Sequence, residues 1–438
     1  MHEKNLKAAY HTLGCKLNFS ETSAIGRALA ERGISRAARG DVPDIIVVNT
    51  CSVTETADKK GRQLIRRLAS RFPDSTLVVT GCYAQLKPEE ISAIEGVDIV
   101  LGSNEKLKAA EYIDRWLESH NRQMDVTPFR EIMEFVPTCE RGDRTRYFLK
   151  VQDGCDYFCT YCTIPYARGR SRSGTISQMV DLARRAAGEG AKEIVITGVN
   201  TGDFGKNTGE TFFDLIKALD KVEGIERYRI SSIEPNLLTE DIISWVAHES
   251  RAFMPHFHIP LQSGSDAVLK KMNRHYDTAL FASRINKIRD LIPDAFIGVD
   301  VIAGARGETP EEWEKSLEFI KSLPVTRLHV FPYSERPGTA ALRLGDSVEQ
   351  GERHRRVGML TDISDEKLDA FLKSHHGMET EVLWEHPARG GDMMHGFSKN
   401  YLRVTAPLRK ELINTLSKVR IIGEDPDDRD SLRGEIIW

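Results

Sequence analysis

Three cysteines within eight residues, Cys155, Cys159 and Cys162, constrain this chain more than any other feature. They stand in the run Val-Gln-Asp-Gly-Cys155-Asp-Tyr-Phe-Cys159-Thr-Tyr-Cys162-Thr-Ile-Pro, with no fourth cysteine close behind. Soft thiolates at short, uneven spacing suit an iron–sulfur centre. Three of them hold three irons of a 4Fe–4S cube and leave one iron open to a ligand that is not protein. The competing readings are three unrelated thiols or a zinc knuckle. A zinc knuckle closes with four ligands, and the nearby sequence supplies no fourth.

At 438 residues the chain exceeds one ordinary core, so two or three domains are expected. Its 40% hydrophobic and 29% charged residues describe a soluble globular protein. No apolar run is long enough to cross a bilayer, and the first residues show no signal-peptide layout. Seven cysteines in such a chain argue for reduced thiols and a cytoplasmic setting. A formal net charge of −4 excludes a globally basic nucleic-acid surface, so any RNA contact must come from local patches.

Cys15, Cys51 and Cys82 lie far apart but in matching contexts. Each follows an apolar strand-like run, 8–13, 45–49 and 77–80. Each precedes a helix-like segment, near 19–32, near 54–71 and from Pro88, a residue suited to a first helical turn. This β-α order predicts a parallel sheet with all three sulfurs at the edge where ligand sites collect. Gly14 and Gly81 permit close backbone approach there. The alternative is three small buried residues at strand ends. Cys139 fits neither triad and reads as incidental to a polar connector ending in Arg141-Gly-Asp-Arg144-Thr-Arg146.

The Cys155 run resembles the signature of the radical S-adenosylmethionine (SAM) superfamily. The segments Thr-Leu-Gly-Cys15-Lys-Leu-Asn-Phe-Ser-Glu, Asn-Thr-Cys51-Ser-Val-Thr-Glu-Thr-Ala-Asp and Thr-Gly-Cys82-Tyr-Ala-Gln resemble the N-terminal domain of the methylthiotransferases. The likeness spans essentially the whole chain. It implies two 4Fe–4S clusters, one on each cysteine triad, with SAM chelated at the central one. The first cluster carries the sulfur to be inserted.

Strand candidates at 147–151, 193–197, 228–231, 256–259, 296–302 and 327–331 alternate with helices such as 177–187 and 310–322. They suggest an open, partial (β/α)6 barrel, which is also the superfamily's architecture, with sites at the C-terminal strand ends. By resemblance the SAM contacts are Tyr161 on adenine, Gly198 and Asn200 after the second strand, Ser232 and Glu234 after the third, and Gln262 after the fourth. Ordinary turn chemistry explains each of these loops equally well. Arg306 stands where many relatives have Gly-Phe-Pro-Gly-Glu, and is a candidate for an anionic group or a solvated loop residue. A charged helical stretch over 347–376 is expected to pack against the barrel through Val357, Leu360, Leu368, Phe371 and Leu372. Short strands at 380–384, 397–405, 416–422 and 431–438, with a turn over 388–392, fit a small antiparallel barrel. Its position resembles a TRAM domain, an RNA-binding module. The expected α/β architecture is thus a methylthiotransferase domain over 1–122, a linker over 123–146, the radical SAM barrel and its following helix over 147–376, and the end barrel over 377–438.

Basic residues beside the cysteine loops, Arg62, Arg66, Arg168, Arg170 and Arg172, are candidates for phosphate contact or merely solvated faces. The resemblance implies a tRNA methylthiotransferase acting at C2 of an adenosine beside the anticodon. One SAM methylates the sulfur, and the radical from a second abstracts the C2 hydrogen from a nucleoside splayed out of the loop. Gly14-Cys15-Lys16-Leu17-Asn18 is most similar to the branch that acts on N6-threonylcarbamoyladenosine. The isopentenyladenosine branch and the branch acting on a ribosomal-protein aspartate stay open, as does a non-catalytic two-cluster electron carrier or redox sensor. Implied partners are tRNA, an external electron donor and a sulfur donor. No membrane is implied, and a monomer is the default.

Overall fold

The structure, a computed structural model, describes residues 5–142, 144–345, 347–387 and 391–437. Its first sheet has six parallel strands: β1 Lys7–Thr12, β2 Ser35–Arg36, β3 Ile45–Thr50, β4 Thr76–Gly81, β5 Ile99–Leu101 and β6 Gln123–Asp125. Their order is β2-β1-β3-β4-β5-β6. β3 and β4 are apolar runs buried along their whole length, as central parallel strands are. Ile45 and Val47 face one core, Ile46 and Val48 the other. The strand order reverses between β1 and β3, the position where open α/β sheets bind ligands. Helix α1 (Lys16–Ala30) follows Cys15, α2 (Glu55–Arg71) follows Cys51, and Cys82 opens the short α3 (Cys82–Leu86). The last differs from expectation, since the helix starts at the cysteine and only a second short helix begins at Pro88.

The expected linker over 123–146 is not a linker. β6 is a strand of the first sheet, and β7 (Thr138–Glu140) pairs antiparallel with β8 (Tyr147–Lys150) at the edge of the next. Gln-Met-Asp and Thr-Cys-Glu carry no apolar alternation, because each is a three-residue edge segment. Cys139 is fully buried in the central core through β7. Asp143, within the expected connector, lies outside the described residues.

After the short pair β9 (Gln152–Asp153) and β10 (Arg172–Ser173), the chain lays down β11 Glu193–Thr197, β12 Arg227–Ile230, β13 His256–Gln262, β14 Phe296–Ala303 and β15 Arg327–Pro332. β8, β11 and β12 form one parallel sheet, β13, β14 and β15 another. Parallel bridges Tyr228–Phe253 and Ser232–His258 join them into the expected partial barrel of six parallel strands. The N-terminal unit reaches both edges of this open barrel. At one edge the Ser20 hydroxyl of α1 donates to Phe148 O on β8 at 3.0 Å. At the other, Ser334 and Arg336, just beyond β15, bond to Glu55 N and to Ser52 and Asp58.

The end barrel closes in the order β16-β17-β18-β20-β19, from β16 Glu379–Pro387, β17 Met393–Ser398, β18 Arg403–Pro407, β19 Leu416–Glu424 and β20 Leu432–Ile436. Two details depart from the sequence reading. The strand expected over 397–405 is two strands split by a turn, where Tyr401 adopts φ +65°. Closure also uses one parallel pair, β18 with β20, so the barrel is not wholly antiparallel. Residues 388–390 of the expected turn and Trp438 lie outside the described residues. Helix Gln350–Lys373 joins two cores, with Leu360 in the central one and Leu368 and Leu372 in the end barrel. The buried guanidinium groups of Arg227 and Arg229 on β12 donate to Phe397 O, Glu381 O, Lys399 O and Ser398 O, which docks the end barrel on the central one.

Candidate active site between two cysteine triads

The C-terminal ends of β1, β3 and β4 bring Cys15, Cys51 and Cys82 to one edge. Thr12 pairs with Asn49, and Thr50 with Gly81. Gly14 has φ +98°, and a Cβ there would lie 2.9 Å from the Cys51 sulfur. Gly81 has φ +99° and presses on the Thr50 backbone, where a Cβ would lie 2.4 Å from its carbonyl oxygen. Both positions therefore require glycine. Asn18 ties the strand ends together by donating to Leu13 O at 2.8 Å and Thr50 O at 3.0 Å. Burial, then the nearby Cys82 sulfur, pushes the Cys51 thiol up to about 12. Burial also raises Cys82, against Arg168 and Lys106. Mutual repulsion of this kind is what a shared cationic centre relieves.

Cys155, Cys159 and Cys162 share one loop after β9. Phe158 takes φ +47° to wind it. N–H groups aim at all three sulfurs: Tyr157 N to Cys155 Sγ at 3.5 Å, Ile164 N to Cys162 Sγ at 3.4 Å, and Arg274 Nη1 to Cys159 Sγ at 3.1 Å. Such donors stabilise thiolates and tune clusters. As free thiols, Cys155 and Cys162 are pushed up by burial and by their sister sulfurs, Cys162 to about 12. Among the described residues, no three His, Cys, Asp or Glu side chains close round a position for a single metal ion. A cube differs in its demand, since each thiolate binds a separate corner.

The two triads adjoin. Thr163, next after Cys162, donates to the carbonyl of Ser52, next after Cys51, at 3.2 Å. Arg168, six residues past Cys162, reaches under the first triad. It donates to Asn18 Oδ1 at 2.6 Å, to Glu21 Oε1 at 3.1 Å and to Asp153 Oδ1 at 2.9 Å. Lys106 and Lys150 also meet Glu21, and Lys150 and Arg172 meet Asp153. Two buried acids are thus set among four buried bases, an excess of positive charge beside Cys15 and Cys82. Thiolate-bound clusters are anionic, so the surroundings match the group. A cavity of about 710 Å³ opens from Cys15 past Phe19, Arg144 and His386. A second, of about 370 Å³, lies inside the barrel against Tyr401 of the end barrel, and His256, His258 and His329 line it. His258 bonds Asp300 at 2.7 Å, and burial holds His329 down to about 4.

A family model described as Uncharacterized protein family UPF0004 matches residues 7–102, and that of the Radical SAM superfamily matches 149–320. The chain is 40% identical to the threonylcarbamoyladenosine tRNA methylthiotransferase MtaB of Bacillus subtilis, over 94% of this chain and 93% of that protein. The chain belongs to the radical SAM methylthiotransferases. MtaB of Aquifex aeolicus is 34% identical over 86% of this chain and 92% of that protein. The tRNA-2-methylthio-N(6)-dimethylallyladenosine synthase of Clostridium botulinum is 32% identical over 94% and 93%. The radical SAM methyltransferase TsrM of Kitasatospora setae shares the fold, with a TM-score of 0.57 at 14% identity over 77% of each chain.

Against this family background, the residues expected to meet SAM cluster at the barrel mouth. Asn200 is buried, and neither polar atom of its side chain makes a hydrogen bond of good geometry, although its amide lies beside the Tyr157 hydroxyl. The Tyr157 hydroxyl nearby is engaged by Asn236 at 2.8 Å. Asp203, also buried, meets Lys206 at 2.7 Å through one oxygen and leaves the other unpartnered. Orphaned groups of this kind fit a polar ligand such as the methionyl end of SAM. Gln152 holds the Gly198 turn by accepting from Val199 N and Asn200 N, each at 2.9 Å. Gln262 has φ +66° at the end of β13, a strained conformation for a residue with a side chain. Glu234 is ion-paired to the buried Arg274, and Tyr161 packs near Met272, Ala305 and Tyr333. Ser232 takes part in the bridge that joins the two halves of the barrel. Sequence reasoning missed Gln152, Asp203 and Arg274, which follow no spacing rule.

Two of the proposed RNA contacts are corrected. Arg168 and Arg172 are buried, and the acids and carbonyls around them consume their donors. Their place after a cluster loop marks the joint between domains rather than an outer face. Arg62 is held by Tyr83 at 2.9 Å and Glu90 at 3.1 Å, and Arg306 by Glu335 at 3.0 Å. Arg66 and Arg170 are exposed, the latter over the Phe158 ring. Among the described residues no helix is long and apolar enough to cross a membrane.

Proposed function

We propose that this chain is a tRNA methylthiotransferase that converts N6-threonylcarbamoyladenosine beside the anticodon to its 2-methylthio derivative. The higher identity to MtaB, 40% against 32% for the dimethylallyladenosine enzyme, supports that substrate. On this reading Cys155, Cys159 and Cys162 hold a 4Fe–4S cluster that binds SAM, and Cys15, Cys51 and Cys82 hold a second. When bound, these groups supply one-electron cleavage of SAM and the sulfur to be transferred. The chain's own residues do the positioning. Asn200 and Asp203 receive the methionyl amino and carboxylate end, Gln152 fixes their turn, and Arg274 fixes Cys159 against Glu234. Arg66 and Arg170 meet RNA phosphates.

The observation that carries this reading is the Thr163–Ser52 hydrogen bond between the two cysteine loops. Sulfur insertion at a radical carbon needs both centres on one chamber, and an electron carrier needs no such chamber. We infer an external electron donor, a sulfur donor and a monomeric enzyme working in the cytoplasm. The decisive experiment is nucleoside mass spectrometry of tRNA from cells that lack the protein and have no second enzyme of this kind. Loss of 2-methylthio-N6-threonylcarbamoyladenosine is expected, and its persistence would refute the assignment.

A further inference from the structure

Lys16 directly follows Cys15 and lines both cavities, the one that opens from Cys15 and the one inside the barrel. Its side chain is exposed rather than closed over, so its ammonium stands in an open hollow shared by the two cavities. The other cations that line or face the barrel cavity each have an acid, whereas Arg144 in the Cys15 cavity lies over the Phe19 ring. Arg327 meets Asp430 at 2.8 Å, Arg403 meets Asp428 at 2.7 Å, and Arg229 meets Glu193 at 2.9 Å. Asp300 faces Lys16 but is bonded to His258. Among the described residues no carboxylate lies within ion-pair distance of the Lys16 ammonium. An ammonium without a counter-ion in such a hollow is free to form a charge-assisted pair with an anion arriving from outside.

The substrate proposed above brings such an anion. Its threonylcarbamoyl arm leaves N6 and ends in a carboxylate. The arm's carbon, C6, and the reacting carbon, C2, both flank ring nitrogen N1. A cation beside the sulfur-bearing triad is therefore also beside the arm. Backbone phosphate is the other anion RNA offers, but it lies beyond the ribose on N9, at the far end of the base. We propose that Lys16 pairs with the carboxylate of the threonylcarbamoyl arm and so selects this nucleoside over adenosines with neutral N6 groups. This rests on the function proposed above and adds the residue that reads the arm.

The test measures binding of three anticodon stem-loops to the reconstituted holoenzyme, anaerobically and without reductant. One carries N6-threonylcarbamoyladenosine, one its methyl ester, and one unmodified adenosine. The wild type should bind the free acid about tenfold more tightly than the other two, as a pair worth about 1.4 kcal/mol gives. Lys16→Gln should bind all three alike, at the wild-type level for unmodified adenosine, and Lys16→Arg should keep the preference. Equal binding of acid and ester by the wild type overturns the proposal. So does a Lys16→Gln variant that weakens all three equally, the mark of a phosphate contact. The ester comparison uses unaltered protein, so it stands even if the substitution disturbs the neighbouring Cys15. An enzyme that methylthiolates the modified tRNA but ignores the ester change refutes Lys16 alone. An enzyme that never methylthiolates it refutes the function and this inference together.

Discussion

The two cysteine triads are built in opposite ways. Cys155, Cys159 and Cys162 lie on one loop, and its own backbone N–H groups serve two of the sulfurs. Cys15, Cys51 and Cys82 come from the ends of three strands and meet only because the sheet forms. The second arrangement leans on the rest of the molecule. Asn18 pins two strand ends, and a buried knot of Glu21, Asp153, Arg168, Lys106 and Lys150 lies beneath. That knot draws residues from both units, so the sheet-borne triad depends on their docking. The loop-borne triad needs far less.

Replacement of the cysteines tests this contrast with the largest effect. Cys155→Ala should abolish 5′-deoxyadenosine formation in the reconstituted protein with SAM and dithionite. Cys51→Ala should keep that product and lose methylthio transfer. If both variants lose the product, the triads are not independent centres.

The buried knot should give the next effect. Arg168→Met leaves Glu21 and Asp153 short of a buried partner, and breaking such a pair costs about 3–5 kcal/mol. Urea unfolding should show that loss, and iron retained by the N-terminal centre should fall before that of the central one. The pH dependence follows with a definite sign. Against burial, the largest influence on each acid, Arg168, Lys106 and Lys150 hold the Glu21 carboxyl below its usual range, and Lys150 and Arg168 do the same for Asp153. Their stabilisation is present above about pH 4 and is lost as acid protonates them in the folded state. Without Arg168 both carboxyls rise, so the variant should begin to unfold at a higher pH than the wild type. An unchanged acid midpoint would mean that the knot carries no such linkage.

The same contrast explains what the sequence disclosed. The Cys155 run is local, so its spacing could be read directly. Cys15, Cys51 and Cys82 were legible because each closes an apolar strand run, and parallel strands share an edge. The charged knot was not legible. Arg168 and Arg172 read as basic loop residues, because burial depends on α1 of another unit packing across β8. β6 and β7 were hidden in an apparent linker, since three-residue edge strands carry no period. Gln152 and Arg274 were invisible for a related reason: each acts through a partner distant in sequence.

Arg274 then asks whether the loop-borne triad is as self-sufficient as the contrast suggests. Its guanidinium donates to Cys159 and pairs with Glu234, at the end of another strand. Removing a partner of this kind from a metal ligand lowers affinity or activity about 10–100-fold. Arg274→Met should therefore reduce 5′-deoxyadenosine formation by that factor and leave iron at the N-terminal centre untouched. A loss of iron from both centres would show that the central triad also rests on the wider fold.

The smallest expected effect concerns SAM alone. Asn200 offers two buried polar groups whose protein neighbour, the Tyr157 hydroxyl, is already engaged by Asn236, so a ligand is what satisfies them. Asn200→Leu removes the unpaired groups at similar size and should not destabilise the apoprotein. It should weaken SAM binding by about 1 kcal/mol for each hydrogen bond lost, a roughly fivefold rise in Kd per bond. Equilibrium dialysis with the reconstituted protein reads that change directly. Unaltered SAM affinity would place the methionyl end elsewhere at the mouth and leave the orphaned amide without a ligand. A drop in the apoprotein's melting temperature would instead mean that Asn200 is already satisfied within the folded chain.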